Sequence, residues 1–137
     1  MTDTSPLTGQ FYCDALQYSV SGKPMVKAQC HCRECQYISG GGPNFFMVFP
    51  VSGFRWTKDR PQKFTRNDLD HPVTKCFCAT CGTHITTELP DGERVVINVG
   101  TLAYPGAFGG PRAAIYTIDQ QLFHLIPDGI PTFKRLS

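Results

Sequence analysis

The sequence predicts a mainly β, single-domain protein with almost no helix. Three observations carry this expectation. Thirteen glycines and eleven prolines are spread over 137 residues, and both are poor residues for a helix interior. Short β-rich or alternating apolar runs recur between turn sequences. The length suits one hydrophobic core, and neither a 20–50-residue repeat nor a low-complexity segment interrupts it. The domain is therefore read as residues 1–137, with its core at about 8–134.

Taken in order, residues 10–13 and 15–20 read as strands, Ser21-Gly22-Lys23-Pro24 as a turn, and 25–30 as a strand. One short helical piece is expected at 33–39. The run Gly40-Gly41-Gly42-Pro43 breaks the chain before an apolar strand at 44–51. Residues 54–57 and 62–66 read as a hairpin around Asp59-Arg60-Pro61, followed by a polar turn at 67–71. Strands at 73–78 and 83–89 flank a cysteine-rich turn. Pro90-Asp91-Gly92 turns into 93–99, which would place Val95, Ile97 and Val99 on one face. A Gly/Pro-rich loop at 103–111 precedes final strands at 113–118 and 121–126. Phe45, Phe46, Phe49, Phe54 and Trp56 are expected to pack in the core, the alternative being a pocket wall over the first cysteine cluster.

Charge and hydropathy exclude some functions. Thirteen Lys and Arg against eleven Asp and Glu give a formal +2, far from the basic excess of an electrostatic nucleic-acid binder. The best apolar run, 45–49, is far short of the ~20 residues that cross a bilayer. No basic-then-apolar pattern opens residues 1–9, so a secretory signal is not expected. The expectation is a cytoplasmic protein without a nucleic-acid or membrane partner.

Seven cysteines are many for such a chain. Disulfides would want an oxidising compartment and usually an even count, whereas scattered buried thiols would not cluster. Cys30, Cys32 and Cys35 lie within six residues, and so do Cys76, Cys78 and Cys81. This spacing favours metal, with free thiols and disulfides as weaker readings.

Cys78-Ala79-Thr80-Cys81-Gly82 is a C-x-x-C-G knuckle, half of a tetrahedral site. Cys76 shares strand parity with Cys78, and Cys13 can approach from the first strand. A closed four-thiolate site of Cys13, Cys76, Cys78 and Cys81 is expected. Cys30-His31-Cys32-Arg33-Glu34-Cys35 offers three sulfurs to a second ion. Three protein ligands with one open position is the pattern of a catalytic zinc; a closed site, or none, is the alternative. His31 would point away from the sulfurs on a strand. His84 reads as a supporting donor or packed strand residue, His71 as a solvated turn residue, and His124 as structural. Glu34 is a weak acid–base candidate, and Arg33 a candidate for attracting a carboxylate. Seven thiolates holding two Zn²⁺ would move the formal charge from +2 to about −1.

Residues 9–18, the Cys30–Cys35 motif, Phe77-Cys78-x-x-Cys81-Gly82, Asn98-Val99-Gly100-Thr101-Leu102 and Ile126-Pro127-Asp128-Gly129-Ile130-Pro131-x-Phe133 occur in this order. Together they resemble the glutathione-dependent formaldehyde-activating enzyme family, which includes centromere protein V. The resemblance implies a β-tent of small antiparallel sheets around zinc, with one structural zinc and one three-cysteine zinc taken as catalytic. It implies condensation of formaldehyde with glutathione to S-hydroxymethylglutathione, a carbon–sulfur lyase-type reaction on a small thiol or thiol adduct. A non-enzymatic zinc module for a protein or small ligand is the alternative, and thiol–disulfide cycling of Cys30, Cys32 and Cys35 a third reading.

Four positions depart from the family pattern. Phe11 stands where its first cysteine belongs, and Cys76 where it often has a non-ligand. A compensation is expected, with Cys76 supplying the missing sulfur. Ala114 and Phe123 stand where many members carry His and Trp.

Overall fold

The computed structural model describes residues 6–137. Ten strands, one α-helix and several 3₁₀ turns form two sheets. Strands β1 (Leu7–Gln10), β2 (Gln17–Val20) and β5 (Phe54–Lys58) make an antiparallel three-stranded sheet in the order β1-β2-β5. The second sheet holds β3 (Val26–Cys30), β4 (Asn44–Pro50), β6 (Gln62–Thr65), β7 (Thr74–Phe77), β8 (His84–Glu88), β9 (Arg94–Asn98) and β10 (Ala113–Ile115). Its order is β10-β3-β4-β9-β8-β7-β6, and only the β10–β3 pair is parallel. Helix α1 (Arg33–Ser39) follows β3 and ends at Gly40, whose φ of 85° is readily adopted only without a side chain.

Strand β4 explains the layering. Phe46, Met47, Val48 and Phe49 are all buried, as expected of a strand covered on both faces. Met47 and Phe49 join Ile97 and Val95 in the larger core, against Tyr18 and Val20 of the three-stranded sheet. Phe46 and Val48 face the other way, with Ala28 and Cys30. Tyr18 anchors the first core: its ring stacks on Phe54 at 5.4 Å, and its hydroxyl lies 2.9 Å from Thr101 Oγ1.

Three expectations are corrected. Residues 54–57 and 62–66 do not form a hairpin. The chain crosses between sheets at 59–61, so β5 pairs with β2 and β6 with β7. Asp59 adopts a positive φ of 60° at this crossing, a conformation that Asp tolerates. Residues 10–13 are not a strand: the chain turns after β1, the Asp14 amide donating to Phe11 O at 2.9 Å. Residues 121–126 form no strand either. Leu122 and Phe123 are exposed, and His124 is held by side-chain bonds instead of a ladder.

The C-terminal stretch closes the β10 edge. Ala114 donates to Pro131 O at 3.0 Å and accepts from the Phe133 amide at 2.9 Å, while Tyr116 donates to Arg135 O. No helix among the described residues is long and apolar enough to cross a membrane.

Candidate metal centre

Two groups of three thiols come together: Cys13 with Cys78 and Cys81, and Cys30 with Cys32 and Cys35. Within each group the three sulfurs lie within 4.8 Å of one another. A tetrahedral zinc site with bonds of about 2.3 Å separates its sulfurs by about 3.8 Å, so both donor sets suit such an ion. Either triad could hold a metal, with a fourth position left for another ligand.

The first group is built by two turns. Cys78 directly follows β7, and the chain folds back at once, Gly82 donating to Cys78 O at 2.9 Å with a φ of 78°. The amides of Thr80 and Cys81 both point at Cys78 Sγ from 3.4 Å. The turn after β1 brings Cys13 Sγ to 3.5 Å from Cys78 Sγ. Thr83 joins the two segments, a contact not anticipated from the sequence. Its Oγ1 accepts from the Tyr12 amide at 3.2 Å and lies 3.0 Å from Cys81 Sγ. With Cys81 as a thiolate, the hydroxyl donates its hydrogen to that sulfur. That bond holds the Cys81 thiol down at about 6. A Thr directly after the C-x-x-C-G knuckle was the available clue.

Cys76 does not join this group. It is buried opposite Thr86 in the β7–β8 ladder and lines a cleft with Trp56 and Lys63. Shared parity gives a shared face, not a shared point. Two residues along a strand advance the chain by about 6.6 Å, well beyond the sulfur spacing of a tetrahedral site. The β7–β8 register also shifts between Cys76 and Phe77. Phe11, at the position of the missing cysteine, is a core residue only 1% exposed.

The second group spans the end of β3 and the first turn of α1. Cys32 caps the helix, its sulfur accepting from the Cys35 amide at 3.3 Å. Hydrogen bonds from the Cys30 and Cys35 thiols hold the Cys32 sulfur far below the usual thiol range, and the same contacts help push Cys35 up. Cys30 is buried, while Cys32 and Cys35 are half-buried.

His31 alternates to the opposite face. Its Nδ1 lies 2.9 Å from His124 Nδ1 and its Nε2 3.0 Å from Gln29 Nε2, so neither nitrogen is turned to the sulfurs. Glu34 pairs with Lys75 at 3.2 Å. Arg33 lies over the Tyr37 ring at 5.2 Å and bonds to Gln36. His84 is a packed strand residue, its Nε2 donating to Thr86 O at 3.0 Å.

The sequence pattern of the glutathione-dependent formaldehyde-activating enzyme family matches residues 6–119. The chain belongs to that family. Membership points to glutathione-related, formaldehyde-activating chemistry and a small thiol as partner. A crystal structure of a Rhodobacter sphaeroides protein is similar in fold, with a TM-score of 0.57 at 15% identity. The similarity covers 91% of this chain and 98% of that one. No curated protein matches the sequence.

Proposed function

We propose that the chain is a zinc-dependent carbon–sulfur lyase-type enzyme, acting on thiol–aldehyde adducts such as S-hydroxymethylglutathione. The observation that carries this reading is the Cys30, Cys32 and Cys35 triad, three sulfurs within 4.8 Å with two of them half-buried. Cys13, Cys78 and Cys81 would hold the structural ion of a β-tent. Zinc held by the second triad would favour a substrate sulfur as thiolate or polarise an aldehyde oxygen.

The reaction joins a thiol to formaldehyde. The sulfur lone pair forms the new C–S bond, the carbonyl π pair moves to oxygen, and the thiol proton ends on that oxygen. The chain's own residues would bind and orient the substrate. Arg33 is exposed beside the triad and offers a guanidinium to a substrate carboxylate. The Lys75 ion pair engages Glu34, which leaves it poorly placed to carry the proton. Solvent is the proton route this geometry favours.

The test combines metal counting with turnover. Purified protein is expected to carry about two zinc ions per chain, and its addition should speed adduct formation from glutathione and formaldehyde, followed by NMR. Cys35→Ser should lose about one ion and the rate enhancement together. Two bound ions with no turnover would replace this reading with the binding module. Full activity in Cys35→Ser would reject the triad as the site.

A further inference from the structure

The seven-stranded sheet is wider than the three-stranded sheet that covers it. Along one row of its core face the residues run Met47, Ile97, Thr86, Cys76, Lys63 from strand to strand. The row begins as ordinary core and turns polar where the cover ends. Here lies a cleft of about 350 Å³, near the lower end of small-molecule sites. Trp56 and Phe54 of β5 form one wall, while Cys76 and Thr86 lie on the opposite side.

Two features set this cleft apart from a packing defect. Thr86 is 1% exposed, and among the described residues its hydroxyl has no nitrogen or oxygen partner, only the weak acceptor sulfur of Cys76 beside it. A buried hydroxyl left with so weak a partner is costly to keep, and native structures rarely keep one without a reason. The rim also carries unspent charge. Lys63 pairs with Glu88 at 3.0 Å, but Arg55 and Arg60, which also line the cleft, form no salt bridge among the described residues.

We propose that this cleft binds a small organic anion: one carboxylate on a flat apolar body. The body lies against Trp56, and the carboxylate is shared, one oxygen meeting the guanidinium groups at the rim and the other accepting from the Thr86 hydroxyl. Guanidinium groups suit this task because their forked donors match the two oxygens of a carboxylate. The site is separate from both thiol triads and does not depend on what they bind. It also gives Cys76 a place in the molecule, as part of the cleft's lining.

Trp56 is the only tryptophan of the chain, so its emission and indole resonance report on this wall directly. Benzoate is the probe, with benzyl alcohol as its uncharged match and acetate as the charge without the ring. Benzoate should give saturable changes in both Trp56 signals, and the other two should bind at least about tenfold more weakly. Arg55→Gln combined with Arg60→Gln changes only exposed residues and should weaken benzoate at least about tenfold. Thr86→Val should weaken benzoate while raising Tm, a combination expected of a hydroxyl kept for a ligand and not for the fold. Absence of saturation with benzoate, equal binding of benzyl alcohol, or unchanged affinity in the double arginine variant would each overturn the proposal.

Discussion

His31 and His124 meet through their Nδ1 atoms, 2.9 Å apart. His124 Nε2 lies 2.7 Å from Gly41 O, and a carbonyl only accepts, so Nε2 carries the hydrogen. His124 Nδ1 therefore accepts, both from the Gln121 amide at 3.2 Å and from His31. His31 Nε2 is then left to accept from Gln29. One hydrogen order connects these groups from Gly41 to Gln29, leaving Gln29 Oε1 without a partner among the described residues. It fastens the loop around residue 124 and the glycine run at 40–42 to the strand that carries Cys30.

Removing His124 should loosen this fastening. His124→Leu leaves the Gly41 carbonyl and the His31 ring without their partner and should cost about 2 kcal/mol in urea unfolding. Hydrogen exchange should rise first at residues 40–42 and 121–125. An unchanged midpoint would mean that the pair contributes no net stability.

The two metal hypotheses for Cys76 separate cleanly. Cys76→Ser should keep the zinc content of the unaltered protein, whereas Cys78→Ser should lose about one ion per chain by elemental analysis. Loss of an ion in Cys76→Ser would restore the four-thiolate site of Cys13, Cys76, Cys78 and Cys81.

Phe11 now packs where a ligand was expected, 6.3 Å from Trp56 between ring centres. Phe11→Ala should therefore cost about 3–5 kcal/mol in denaturant unfolding of metal-free protein. A loss below about 1 kcal/mol would show that the site collapses around the gap.

Acid should weaken the metal-free fold through His84. Burial, with Lys75 adding to it, pushes this imidazole down to about 4. The unfolded chain takes up the proton at about 6.5 and so binds more protons than the native state between these values. Stability is full above about pH 7 and falls as the pH drops through 6.5 towards 4. Allowing for solvent screening of a half-buried ring, the fall is about 1–2 kcal/mol. His84→Gln keeps a donor for Thr86 O and removes the titration, so its urea midpoint should fall less between pH 7 and pH 5. Parallel curves for the two proteins would reject this role.

Local chemistry was the legible part of the sequence. Residues 33–39 form a helix as expected, bounded by Cys32 as cap and Gly40 as stop. The C-x-x-C and C-x-C-x-x-C spacings grouped the right sulfurs wherever the chain turns sharply between them. The alternating run at 93–99 did place Val95 and Ile97 in the core. What failed was non-local. Nothing in Asp59-Arg60-Pro61 says that the chain leaves one sheet for another, because a tight hairpin and a crossing use the same turn residues. Residues 121–126 have strand-like composition, but the segment is held by His124, and composition does not record such a partner. Parity placed Cys76 on the correct face and missed the distance along it.

The family pattern stops at residue 119, but the hydrogen bonds from Ala114 and Tyr116 reach Pro131, Phe133 and Arg135. A fragment trimmed at the homology boundary would strip the outermost strand of its neighbour and delete one ring of the imidazole pair. Similarity and foldability thus have different limits in this chain, and expression clones should follow the second.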